Sequence, residues 1–279
     1  MTNWLQSKKT TQPKCYQKSG KQNLSELAET IADVYCPDGI ILPEVIAERK
    51  NISYCFGNYG GAFDGLIEQE HNSFHIFINT QKSPADGTRS RFTFAHELGH
   101  YFIDEHRQAL LSGKTPSHPS ITNFSSKNLV EVEADYFASS LLLPETRTKR
   151  DCHKKKLNFA LIEALAVKYN TSITATVIKL MTIDKHPIML VCSIAGKIKW
   201  FKFSHDFPYK WLKKPFGTVP KNTLAGVYFK TGEKFDEELP ITANDWFENV
   251  WDRDIDRPFF EKCIYSDRNQ FVLSIIWEE

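Results

Sequence analysis

The sequence has no run of about 18 consecutive apolar residues, so none of it reads as a bilayer-spanning helix. Nor does it carry an excess of one charge. Its 35 Lys+Arg stand against 34 Asp+Glu, a net charge of +1, which removes any global attraction to nucleic acid or to a membrane. There is no Cys-x-x-Cys pair. The six cysteines (Cys15, Cys36, Cys55, Cys152, Cys192 and Cys263) are scattered as reduced thiols would be, not paired as in a disulfide framework. No apolar signal-like stretch follows Met1, so the expected location is cytoplasmic, with no membrane partner. Internal repeats and low-complexity blocks are also missing. What remains, 279 residues with 41% hydrophobic and 25% charged side chains, is the composition of a globular protein of about two domains.

Residues 1–22 hold Lys8, Lys9, Lys14, Lys18 and Lys21 without one acidic residue, and read as a mobile basic tail. Leu24, Leu27, Ile31 and Val34 repeat at helical spacing up to Pro37. A second helix fits Pro43 to Lys50, with the proline in its first turn. Strands are expected at Ala62 to Glu68 and at Ser73 to Asn79, where Phe74, Ile76 and Ile78 alternate with His75, Phe77 and Asn79. Further helices fit Thr88 to about Glu105 and Asn128 to Leu143, with a polar loop from Ser112 to Lys127 between them. A basic connector, Arg147 to Lys156, leads to two short helices, Phe159 to Tyr169 and Thr174 to Met181. Strands follow at Ile188 to Ile194, Lys197 to Phe203 and Phe271 to Trp277, the last after a turn at Ser266 to Asn269. The expected class is α+β, in four parts: the tail 1–22, a first domain 23–146, connector and helices 147–184, and a C-terminal α+β domain 185–279.

One motif dominates the chemistry: His96-Glu97-Leu98-Gly99-His100, a His-Glu-x-x-His on a predicted helix. Residues four apart lie one turn apart on one face, so both imidazoles reach the same ion, while Glu97 sits beside it as a proton acceptor. Chance alone gives this pattern in roughly one sequence in fifty of such composition. The alternative is a pair of surface histidines on an amphipathic helix. The apolar flanks Phe92, Phe94, Ala95, Leu98, Phe102 and Ile103 argue instead for a buried helix, and buried imidazoles on one face want a shared partner.

Catalytic zinc needs a third protein ligand and an open position. His106 stands where a third histidine would follow if a glycine at 103 broke the helix. Residue 103 is Ile, so His106 is expected on a solvated helix end. Glu131 and Glu133 lie about 200° apart on the later helix, so at most one of them faces the metal. Glu131 shares its face with Asp135, which suits one carboxylate on the metal and another orienting a ligating histidine. Glu131 is therefore the expected ligand, with Asp135 behind it. Gly99 costs about 1 kcal/mol in a helix interior, but it would let the second helix come close.

Ala95-His96-Glu97-Leu98-Gly99-His100, then Glu131-x-Glu133-Ala134-Asp135-x-Phe137-Ala138 and Leu141-Leu142-Leu143-Pro144, resembles the ImmA/IrrE metallopeptidases from about residue 24 to 145. The resemblance implies a zincin-like, gluzincin-type domain and a Zn²⁺ ion on His96, His100 and Glu131, with Glu97 as general base. It also implies cytoplasmic endopeptidase activity on transcriptional repressors of the helix-turn-helix class, which control mobile-element transfer or DNA-damage genes. The basic tail and the C-terminal part do not match the family core.

Other features stay open. An oxyanion-stabilising group could be Tyr101, Tyr136 or His75, and the strand Phe74 to Asn79 could hold an extended substrate. Phe159 to Met181 has a helix-turn-helix rhythm. Its second helix offers one cation and no Arg, Asn or Gln to read bases, so packing is expected and direct DNA binding is not. Trp200, Trp211, Trp246, Trp251 and Trp277, with half of all the aromatic residues, fall in the last 80 residues, either as a core or as a sensor or docking surface. Two other functions compete with the peptidase: a non-catalytic regulator that zinc merely staples and that binds DNA or protein, and a toxin-like metallohydrolase.

Overall fold

A computed structural model describes residues 14–114, 117–120, 128–183, 186–267 and 270–279, and side chains from residue 23 onward. The chain divides into two compact units, Met1–Leu141 and Leu142–Glu279.

In the first unit, α1 (Lys14–Tyr35) and α2 (Pro43–Arg49) precede a four-stranded sheet. Its strands are β1 (Ser53–Gly57), β2 (Gly65–Glu70), β3 (Ser73–Asn79) and β4 (Ser117–Ser120), in the order β1-β3-β2-β4. β1 runs parallel to β3, and β2 runs antiparallel to both of its neighbours. The β2–β3 hairpin turns through His71 and Asn72, both at positive φ, the conformation a two-residue hairpin of this hand requires. Against the sheet lies α3 (Thr88–Phe102), followed by α4 (Asp104–Leu111) and α5 (Leu129–Leu142). Ile67, Ile76 and Ile78 on the strands and Phe94, Ala95 and Leu98 on α3 are fully buried, which fixes one face of α3 against β2 and β3. Burial of Ser90 to Tyr101, apart from Phe92, makes α3 a core helix.

Several expectations are revised. α1 begins at Lys14, so only residues 1–13 of the basic tail lie outside the described residues. The strand expected from Ala62 starts at Gly65, and β1 was not foreseen. The long helix stops at Phe102, because Ile103 takes extended backbone (φ −78°, ψ 115°) before α4 restarts the helix. The loop expected over Ser112 to Lys127 contains β4, while 115–116 and 121–127 lie outside the described residues. Pro119 hid that strand: proline lacks an N–H, yet it is tolerated on a sheet edge, and β4 is one. β3 lies between β1 and β2, so no further strand can add to it, and it does not hold substrate by strand addition.

The second unit opens with α6 (Glu145–Cys152), a helix over much of the expected basic connector. α7 (Phe159–Tyr169) and α8 (Ile173–Thr182) follow, joined through Asn170 at φ 49°. The five-stranded antiparallel sheet comprises β5 (Ile188–Ile194), β6 (Lys197–Phe203), β7 (Leu239–Thr242), β8 (Pro258–Ser266) and β9 (Phe271–Glu278), in the order β6-β5-β9-β8-β7. Of the turn expected at Ser266 to Asn269, residues 268–269 lie outside the described residues. Short helices α9 (Leu224–Thr231) and α10 (Ala243–Trp246) complete the unit. Alternate residues of β5 enter two cores. Ile188 and Leu190 join Leu161, Ile162, Leu165, Val177 and Leu180 of α7 and α8, whereas Met189 and Val191 join Phe207, Tyr228, Trp246 and Phe247. Segments 147–184 and 185–279, separated on sequence grounds, therefore share one hydrophobic core. Among the described residues, no helix is long and apolar enough to cross a membrane.

Asp64, just before β2, ties the first unit together. Its N–H donates to Ser120 O and its carbonyl accepts from Asn79 N–H. Its carboxylate meets Lys82 Nζ at 2.8 Å and an Arg89 amino group at 2.9 Å. Burial alone would raise this carboxyl, but the two cations hold it below the usual range. A lowered native pKa means stability that is present above the unfolded value of about 3.9 and lost as pH falls through the native one. Asp64→Asn should therefore destabilise the unit at neutral pH by about 1–2 kcal/mol, the cations being half exposed. The gap to wild type should close on acidification, as thermal melts between pH 7 and pH 2 would read.

Candidate metal centre

Two helices and one strand build the site. α3 presents His96 and His100 one turn apart, 1% exposed each, with Glu97 fully buried between them in sequence. α5 brings Glu131 and Asp135, also one turn apart. Gly99 permits the approach: a Cβ there would lie 3.2 Å from Phe137 Cδ1 and 3.3 Å from Ala134 Cα. The close contact thus involves the backbone of α5 itself.

The His96 and His100 Nε2 atoms are 3.2 Å apart. Glu131 Oε2 lies 3.4 Å from His96 Nε2, and Oε1 lies 3.6 Å from His100 Nε2. Donors on tetrahedral bonds of about 2.0–2.1 Å would be roughly 3.3–3.4 Å apart. The two edges at His96 Nε2, 3.2 Å to His100 Nε2 and 3.4 Å to Glu131 Oε2, are of that length, and His100 lies closest to the other carboxylate oxygen. Among the described residues, His96, His100 and Glu131 form a three-donor group that could hold a metal ion. Asp135 Oδ1 accepts from His96 Nδ1 at 2.9 Å, which leaves Nε2 turned toward the trio.

The electrostatics show a site shaped for a cation. Burial disfavours a charged His96, but the Asp135 and Glu131 carboxylates outweigh it and raise the imidazole to about 10. Glu131 is itself partly desolvated, yet His118 and His96 hold it far below the usual carboxylate range. Burial pushes His100 well below its ordinary value, aided by His96, His118 and His106. Glu97 is raised to about 7 by burial, against the opposing pull of His96, Ser120 and His118. No well-formed hydrogen bond reaches either Glu97 oxygen, and the buried Ser120 hydroxyl is the polar neighbour that acts on it. Orphaned carboxylate oxygens at full burial cost several kcal/mol, an arrangement found chiefly where a bound group completes the site.

His106 is a correction. It is buried on α4, not solvated, because the break at Ile103 turns it inward. Its Nε2 meets Glu133 Oε2 at 3.1 Å, and its ring lies 5.2 Å from that of His100. Glu133, half exposed, is paired there and is not one of the three donors. Of the oxyanion candidates, His75 is hydrogen-bonded to Ser53 at 2.6 Å, and the Tyr101 ring packs against Phe74 and Arg107. Sequence reasoning missed three residues here. His118 and Ser120 sit on the unforeseen β4, and Gly65 sits where a Cβ would fall 2.4 Å from Glu97 Oε1. Only an alternation of His118 and Ser120 across Pro119 hinted at the first two.

A sheet backed by a His-Glu-x-x-His helix, with a glutamate brought in from a second helix, defines a zincin-like domain of metallopeptidase type. Residues 48–181 match the family model Peptidase_M78, the IrrE N-terminal-like domain. Among solved structures, it is similar to a Mycobacterium tuberculosis transcriptional regulator. The TM-score is 0.58 at 14% identity, over 94% of this chain and 78% of that one, a likeness of fold. No curated protein matches the sequence.

Two substitutions test the donor set. Glu131→Ala should lose stoichiometric metal, whereas Glu133→Ala and His106→Ala should keep close to one ion per chain by elemental analysis. Gly99→Ala should push α5 back by a few tenths of an ångström and weaken metal binding about tenfold or more, with the helical circular dichroism retained.

Proposed function

We propose that the protein is a zinc-dependent endopeptidase that cuts a specific intracellular regulator, a helix-turn-helix repressor, with Glu97 as general base. The observation that carries this reading is Glu97 itself: fully buried, with no well-formed hydrogen bond at either oxygen and raised to about 7, beside a two-histidine, one-glutamate donor set. A metal that merely stapled the fold would have no use for such a carboxylate. His96, His100 and Glu131 would hold the ion. When bound, zinc lowers the pKa of its water toward about 7 and polarises the scissile carbonyl. Glu97 takes the proton of the attacking water and returns it to the leaving amine, a role suited to a carboxyl poised near neutrality. Asp135 holds the His96 ring in the tautomer that offers Nε2.

A specific regulator is favoured over general digestion by two things: the family match, and the second unit, large enough to dock a partner or control access. The cut should fall in an extended or locally unfolded segment, because a helix keeps its backbone hydrogen bonds to itself. Incubating the zinc-loaded protein with the regulator encoded beside it, followed by mass spectrometry, should show one or few cuts and almost none in casein. Rapid digestion of many unrelated unfolded proteins would instead favour a toxin-like hydrolase.

Glu97→Gln should retain the metal and the melting temperature but lose turnover by several orders of magnitude. Gly65→Ala should act more mildly on the same atom, displacing the Glu97 carboxylate and lowering kcat about 10–100-fold with metal content unchanged. A near-wild-type rate in Glu97→Gln would remove Glu97 from the mechanism.

A further inference from the structure

β4 contributes more to the site than an edge to the sheet. Along it, Ser117 and Pro119 are exposed, while His118 and Ser120 turn inward, as alternate residues of a strand must. Cross-strand pairing sets Ser120 opposite Gly65 and His118 opposite Ile67. Ser120 therefore lies beside Glu97, and His118 reaches the donor set. His118 Nε2 is 2.5 Å from Glu131 Oε1, and its ring centre is 4.5 Å from that of His100. An ionised carboxylate only accepts hydrogen bonds, so His118 is the donor in this contact.

We infer that His118 is a positioning residue for the metal-facing carboxylate: by occupying Glu131 Oε1 it leaves Oε2, the oxygen nearest His96, to bind the ion through one atom. The inference rests on the metal reading above and deepens it. His96 and His100 approach Glu131 at the wider separations of 3.4 and 3.6 Å, whereas among the described residues His118 makes the short contact to its side chain, so without His118 the carboxylate is freer to turn. It could then chelate through both oxygens and fill a position that must stay open for water and substrate. A hydrogen bond of this length to a charged acceptor is strong enough to set that choice. Asp135 does the same for His96 at 2.9 Å. The site thus has two anchors from different elements, one for an imidazole ligand and one for the carboxylate ligand.

The test is metal binding, not turnover. Full-length wild type, His118→Ala, His118→Gln and Glu131→Ala would be titrated with Zn²⁺ against a chromophoric chelator. Each would also be loaded with Co²⁺ for its visible spectrum, and metal-free melting would report folding. His118→Ala should bind one ion about 10–100-fold more weakly. Its Co²⁺ band should be weaker than wild type's, as a higher coordination number requires. His118→Gln, whose amide can donate over a similar reach, should recover most of both. Glu131→Ala should lose stoichiometric binding. Unchanged affinity and spectrum in His118→Ala would overturn the inference and leave the donor set standing, as would equal losses in the Ala and Gln variants tracking a lower melting temperature. A wild-type protein that binds neither ion would overturn the metal reading itself.

Discussion

Everything in the first unit depends on keeping one carboxylate and two imidazoles out of water. His96, Glu97 and His100 sit on a helix packed against a sheet, where an unpartnered ionised group is costly. α5 makes the arrangement tolerable by bringing Glu131 and Asp135 onto His96. Their approach needs Gly99, because a side chain there would strike the backbone of Ala134. The burial of the helix and the absence of one Cβ are therefore parts of one device. What α5 does not compensate is Glu97, whose buried oxygens receive no well-formed hydrogen bond. Natural proteins keep such a deficit where the missing partner arrives with function.

The sequence made α3, α5 and the identities of His96, Glu97, His100, Glu131 and Asp135 readable because helices confine partners to fixed spacings. The i, i+4 rule that groups His96 with His100 also groups Glu131 with Asp135, and it separates Glu133. Where a partner comes from a distant strand, no such rule exists. His118 lies 13 residues before Glu131 on a four-residue strand with a proline in it, and only its alternation with Ser120 marks it locally. Ile103 misled for the opposite reason. An apolar residue with good helical company would continue the pattern, but tertiary burial of His106 is satisfied only if the backbone turns extended there. Propensity is a weak prior that such contacts override.

The second unit was legible in kind but not in division. Its helices α7 and α8 were expected from their periodicity and their Asn170 turn. Their partner, a sheet strand buried on both faces, gives no alternation to read. β5 joins both cores at once, so the helices cannot form a separate segment from the sheet. Concentrated aromatics proved to be chiefly core: Trp246, Trp277, Phe207, Phe247 and Phe259 are fully buried, although Trp211, Phe216 and Trp251 are more than half exposed.

The two anchors of the donor set differ in a way that matters for control. Asp135 rides on α5 together with Glu131, so the His96 contact persists as long as α3 and α5 stay packed. His118 belongs to a short edge strand that, among the described residues, pairs with β2 alone. An edge strand of four residues is among the first elements of a sheet to loosen, since only one side of its backbone is paired. Any partner that tightens or loosens β4 would then act on Glu131 through His118, and on Glu97 through Ser120, without touching α3 or α5. On this reading the rigid helices would select the ion and the strand would tune access to it. Among the described residues, β4 is the sheet edge beside Glu131 and Glu97, where another extended chain could pair.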